Sequence, residues 1–143
     1  MNASSIVSNF DIANKIASTA VLFRKYFPDA KVNFSPWDKC NDNKICDTID
    51  FSFQFPGWSP SLECMAILLQ LSIEDNHVNE DPKLLGVMMR GILIPKERWR
   101  VATVGKWEMT GSHLPQKAQT DNLFLVCKEL YKLFSTTSTG NKK

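Results

Sequence analysis

Four cysteines and two histidines, with scattered aspartates around two of the cysteines, are the residues whose types could do chemistry. Cys40 and Cys46 have five residues between them. That is too wide for a CxxC redox or metal pair, and no second pair stands nearby. Cys64 and Cys127 lie in apolar segments and read as small core hydrophobes, so four free thiols are expected. His77 and His113 stand far apart, each in a polar loop, and read as surface residues rather than as a base or a ligand. The stretch Asp38-Lys39-Cys40-Asn41-Asp42 has the outline of a cation loop but lacks the glycine and terminal glutamate that fix one. No dinucleotide, Walker, nucleophile-elbow or HExxH pattern is present. An enzyme built on Cys40 or His113 would need an orienting partner that the sequence does not show. The expectation is therefore no catalytic residue, no metal site and no cofactor.

Two further strings invite a binding role. In Arg98-Trp99-Arg100, arginines could contact phosphate and a tryptophan could stack on a base. In a strand, however, Trp99 points away from its neighbours and into the core. A net charge of +2 is also low for a nucleic-acid binder, so nucleic acid is not expected as a partner. The loop Pro56-Gly57-Trp58-Ser59-Pro60 places a tryptophan at a turn tip, where it packs down on its own domain or into a partner.

The elements that must position these residues follow from periodicity. Phe10, Ala13, Ile16, Ala17, Ala20, Phe23 and Phe27 recur at three- and four-residue steps and predict a helix from Ser8 or Asn9 to Phe27, stopped by Pro28. Val32 and Phe34 suggest a short strand, followed by a polar loop over Pro36 to Asp47. Ile49, Phe51, Phe53 and Phe55 alternate with Asp50, Ser52 and Gln54, the period of a half-buried strand. Over Leu62 to Ile73 a helix cap at Ser59-Pro60 competes with an unbroken strand face of Met65, Ile67, Leu69, Leu71 and Ile73, and the strand is preferred. After a polar loop over Asp75 to Lys83, Leu85 to Ile94 and Arg98 to Glu108 form a hairpin around Pro95-Lys96-Glu97.

The hairpin register decides which residues share a face. Pairing Ile94 with Arg98 puts Val87, Met89, Leu93, Trp99, Val101 and Trp107 together. Arg90, Arg98, Arg100 and Lys106 then share the other face with Met88, Ile92, Ile94 and Val104. A final helix from Gln116 to Phe134 carries Leu123, Val126, Cys127, Leu130 and Phe134 as its buried stripe. The expected fold class is α+β: an antiparallel meander of about five strands, with an N-terminal and a C-terminal helix on one face. Residues 1–134 make one domain, and 135–143, with no apolar residue to bury, a disordered tail.

Length and composition suit one globular domain. No apolar run reaches the ~18 residues of a membrane span. The start, Met1-Asn2-Ala3-Ser4-Ser5, lacks the marks of a signal peptide. A cytoplasmic protein without membrane insertion is expected. Charge is unevenly placed: Asp38 to Asp81 holds nine acidic residues against two lysines, and Pro82 to Lys117 seven basic residues against two glutamates.

Two helices can cover only one side of such a sheet. The other side would carry Leu62, Cys64, Leu68, Met88, Ile92, Ile94 and Val104 with Arg90, Arg98 and Arg100, a mixture closer to a protein interface than to a solvent face. The string Phe55-Pro56-Gly57-Trp58-Ser59-Pro60, then Cys64, then Arg98 through Trp107 (RWRVATVGKW) resembles a group of small cyanobacterial proteins without assigned function, over residues 50–134. The resemblance implies a cytoplasmic protein, an accessory factor near the photosynthetic machinery, and brings no catalytic residues. The expected function is a non-enzymatic binding or assembly module. It would use Arg90, Ile92, Ile94, Arg98, Arg100 and Trp58 on a protein partner or on its own copy. The alternative is a small-molecule-binding domain or enzyme with a pocket between helices and sheet.

Overall fold

Alternation along the strands fixes the architecture, because every second residue is apolar and needs cover. The computed structural model describes residues 2–5, 10–37, 48–74 and 83–135, with the side chains of residues 5, 10 and 11 left aside. The Pro36–Asp47 and Asp75–Lys83 loops lie almost wholly outside the described residues, with Cys40, Cys46, His77, the Asp38–Asp42 stretch and residues 136–143. The elements are a 3-10 turn (Ala3–Ser5), α1 (Phe10–Tyr26), β1 (Lys31–Asn33), β2 (Thr48–Ser59), β3 (Cys64–Glu74), β4 (Lys83–Leu93), β5 (Lys96–Ala102), β6 (Glu108–Gly111) and α2 (Lys117–Ser135). The strands form one antiparallel meander in sequence order, β1 to β6. It has six strands because the expected Arg98–Glu108 strand breaks after Ala102. Thr103 donates its N–H to the Val87 carbonyl, Gly105 takes φ +77°, and the chain returns as β6.

One face of the sheet carries Ile49, Phe51, Phe53, Ile67, Leu69, Leu71, Val87, Met89, Trp99 and Val101, all buried in a single core. Register lines them up as rows, such as Phe51–Leu69–Met89–Val101. Both helices cover this face. Phe23 of α1 stacks on Phe53 with ring centroids 3.8 Å apart, and α2 buries Leu123, Val126, Cys127, Leu130 and Phe134 as its spacing predicts. Each of these larger side chains contributes roughly 1.5–3 kcal/mol by leaving water. The α1 stripe differs in detail: Ala17 faces outward, while Ile12, Lys15 and Thr19 turn in. Lys15 is accommodated because its Nζ donates to the Leu133 carbonyl in the last turn of α2, 3.1 Å away, where a cation complements the helix dipole. At the far end of α1, the Tyr26 hydroxyl donates to the Glu129 carboxylate of α2.

The hairpin register differs from the expected one by two residues. Arg90 pairs with Arg100 and Gly91 with Trp99, the turn is Ile94-Pro95 alone, and Arg98 is the extra residue of a bulge. The reason is the size of Trp99. Its indole lies across position 91, where a Cβ would sit 2.1 Å from Cε2, and its N–H donates to the Leu62 carbonyl at 2.6 Å. In the expected register Trp99 would have faced Leu93, with no such room. A two-residue shift preserves side-chain parity, so Val87, Met89, Trp99 and Val101 remain on the covered face. Trp107 does not join them. Beyond the break at Ala102 it leaves the strand and lies half exposed on α2. Leu62 and Cys64 also move, from the expected open face into the core.

Candidate functional site

The opposite face of the sheet is built from the alternate residues of the same strands. Its central row is Asn33–Ser52–Leu68–Arg90–Arg100–Thr110, flanked by Asp50–Gln70–Met88–Ala102 and by Gln54–Ala66–Ile92–Glu97. Neither helix lies on it. Leu68 is only 6% exposed yet stands outside the core between helices and sheet. Met88, Arg90, Ile92, Arg100 and Ala102 around it are half buried.

The charges on this face are tied to one another. Glu97 accepts two hydrogen bonds from Arg100, from Nε at 3.1 Å and from a terminal nitrogen at 3.0 Å. The same carboxylate lies 3.6 Å from Arg90 Nε, which also approaches the Met88 sulfur at 3.3 Å. One glutamate thus serves two arginines, leaving a single net positive charge on the cluster. At the β1 end, Asp50 is buried, accepting from the Trp37 indole N–H at 2.6 Å and from the Gln70 amide at 3.3 Å. Trp37 is held there by Asn2, whose side-chain amide bonds both its N–H and its carbonyl.

Arg98 does not stand beside Arg90 and Arg100. As the bulged residue it turns to the β2–β3 connection, giving one hydrogen bond to the Glu63 carboxylate at 2.8 Å and one to the Glu63 carbonyl at 3.2 Å. Glu63 holds φ +57°, a conformation uncommon for a residue with a Cβ. The paired contacts from Arg98 hold it there. The Arg98 guanidinium also lies 5.1 Å from the Trp58 ring centroid, a cation–π contact. Trp58 is therefore packed on its own domain along one side and 43% exposed. Ile94 is 72% exposed at the hairpin tip rather than on the sheet face. Continuing the β3–β4 register carries Ile94 level with Cys64, which pairs with Ser59, so Trp58 and Ile94 share one end of the sheet.

The structure thus divides the six expected residues. Arg90, Ile92 and Arg100 lie on the open face with Glu97; Trp58, Ile94 and Arg98 form its hairpin end with Glu63. The role of Glu97 was missed. An acidic residue two positions after Pro95 is the signal that could have found it, once the turn was known to be short. Val104, expected on this face, lies in the bend after β5 and reaches the face's edge, its Cγ2 standing where a Cβ of Gly86 would be.

Among the described residues, no group of three His, Cys, Asp or Glu side chains could hold a metal ion. The Cys64 and Cys127 thiols are buried and free, and burial pushes each up to about 12, which makes both poor nucleophiles. His113 is exposed, with Nδ1 2.9 Å from the Ser112 hydroxyl. No described helix is long and apolar enough to cross a membrane.

Fold and face together define an α+β domain whose meander sheet is covered by helices on one side and open on the other. Residues 4–136 match a family model described as a domain of unknown function, and the chain belongs to that family. No curated protein and no solved structure matches it.

Proposed function

We propose that the protein is a non-enzymatic binding or assembly module of the cytoplasm, and that the open sheet face with its hairpin end docks on a protein partner or on a second copy. The observation that carries this reading is the composition of the face. Leu68, Met88, Ile92 and Ala102 supply apolar area, and Arg90 and Arg100 are held in fixed positions by Glu97. Interfaces combine apolar centres with arginines positioned in this way. The likeness of its PGWSP and RWRVATVGKW strings to small cyanobacterial proteins supports an accessory role in such a cell. The chain's own acidic stretch is a candidate surface for self-association; six of its nine acidic residues lie outside the described residues.

The test is a double substitution, Ile92→Asp with Arg100→Glu. Both positions are partly exposed strand sites, so circular dichroism should be unchanged. Arg98 is unsuitable, because replacing it releases Glu63 and Trp58 and disturbs the hairpin itself. Sedimentation at low and high salt, followed by affinity capture, should show association that salt weakens in the wild type and that the variant lacks. If wild type and variant sediment alike and capture the same proteins, the open face is a solvated surface only.

A further inference from the structure

The charges on the open face balance. By register Lys31 lies on it from β1, Asp50 from β2 and Glu74 from β3. Lys83 and Arg90 lie on it from β4, Arg100 with Glu97 from β5, and Glu108 from β6. Among the described strand residues the face thus holds four cations and four carboxylates. An oppositely charged partner finds no net field to follow here. A second copy suits such a face, because in a twofold dimer the same patch meets itself, and a patch of one sign would repel its copy.

The order of the charges across the sheet selects one arrangement. The strands carry +1 on β1, −1 on β2, −1 on β3, +2 on β4, 0 on β5 and −1 on β6. A twofold axis parallel to the strands, between β3 and β4, lays β1 on β6 of the second copy, β2 on β5 and β3 on β4. Lys31 then approaches Glu108, Asp50 the strand of Arg100, and Glu74 approaches Lys83. No strand meets one of like sign. An axis across the strands instead lays each strand on its own copy and sets the cations of β4 against themselves.

Shape permits the approach. Arg90 and Arg100 are drawn sideways to Glu97 rather than standing off the sheet, and Arg90 Nε lies 3.3 Å from the Met88 sulfur. Ala66, Leu68, Met88, Ile92 and Ala102 fill the middle with side chains of a size that lets two sheets pack about 10 Å apart. Trp37, 44% exposed beside Asp50, and Val104, 70% exposed beyond β5, flank the face on opposite sides. The strand-parallel axis carries Trp37 of one copy toward Val104 of the other. Six strands about 4.8 Å apart, over about seven residues each, make a face of roughly 600 Å², so two copies cover about 1,200 Å², the lower end of a standard stable interface. Resting on the docking role proposed above, we infer that the occupant of the open face is a second copy, packed face to face about this axis as an isologous dimer. Ser52 of one copy then faces Arg100 of the other.

Sedimentation of the purified full chain tests this. Wild type should be dimeric. Ser52→Arg sets an added cation against Arg100, and Arg100→Glu removes one from the strand that meets Asp50. Each should weaken dimerisation about tenfold or more. An equimolar mixture of the two variants should recover a dimer, since the introduced arginine then faces the introduced glutamate. Ser52 and Arg100 are both partly exposed, so circular dichroism should show both variants folded, and the wild-type measurement stands whether or not they are. A wild type that stays monomeric up to about 0.1 mM, a dimer that both variants keep, or a mixture of folded variants that stays dissociated overturns the dimer. The docking role is judged separately. If a monomeric wild type captures another protein and Ile92→Asp abolishes that capture, the second copy is wrong as the occupant and the open face still docks a partner.

Discussion

The two faces of the sheet are made by the same strands and obey different rules. On the covered face, Phe51, Phe53, Leu69, Met89, Trp99 and Val101 meet residues of α1 and α2 far away in sequence, and water is excluded. On the open face, side chains satisfy one another within the sheet: Glu97 with Arg90 and Arg100, Asp50 with Gln70 and with Trp37 from the neighbouring edge. The covered face holds the fold together by removing apolar area. The open face keeps its arginines ordered through Glu97 and buries Leu68 and Asp50 within the sheet. Comparing the faces shows that burial is decided by alternation, while the polarity of an exposed face is decided by which charges the register brings together.

Substitutions should separate the faces by size of effect. Trp99→Ala removes a fully buried indole and its hydrogen bond to Leu62; denaturant unfolding should show a loss of about 3–5 kcal/mol. Gly91→Ala, the position on which that indole lies, should cost about 1–3 kcal/mol by overpacking. A neutral result at both would break the account of the covered face. Trp107→Ala, on a half-exposed residue stacked on Phe124 and Tyr131, should cost only about 1 kcal/mol, and a loss matching that of Trp99→Ala would return Trp107 to the core. Glu97→Gln should change stability by less than about 1 kcal/mol, because its partners remain partly solvated.

The smallest effect is a pH dependence at the helix pair. The hydrogen bond from Tyr26 holds the Glu129 carboxyl below the usual range, and the same bond pushes the Tyr26 phenol up. A lowered carboxyl contributes stability above its unfolded pKa and loses it as pH falls through the folded one. Tyr26→Phe should therefore be less stable than wild type near neutrality, and the gap in melting temperature should close as the solution is acidified through the carboxylate range. A gap that persists at low pH would assign the effect to packing instead.

Much of the covered face was legible. The α2 stripe and the Ile49–Phe53 alternation each match one period, so spacing alone identifies the core apolar residues, though not the buried Asp50 between them. The β3 segment was harder, since a cap signal competed with alternation, and its apolar alternation on the covered face marked the strand. The Arg98–Glu108 segment misled because periodicity does not register a break. Only the bond between Thr103 and Val87 and the positive φ of Gly105 end β5 and send Trp107 to α2. Arg98 was misplaced for a related reason. A bulge has no sequence signature here, and it turns an apparent open-face arginine into the clamp on Glu63 and Trp58. The pairing of one glutamate with two arginines was hidden until the turn length was known.

Site-specific photocrosslinking in the living source cell tests the central claim most directly. A photoreactive phenylalanine analogue placed at Ile92 samples the open face, and one at Val21, 72% exposed on α1, samples a helix surface with no proposed role. Cells carrying the analogue at position 92 should yield one discrete adduct, either the chain's own dimer or a single partner, that position 21 does not yield. Adding Arg100→Glu should diminish that adduct. No adduct at position 92, or the same adducts from both positions, would contradict the assignment of the open sheet face as a docking surface.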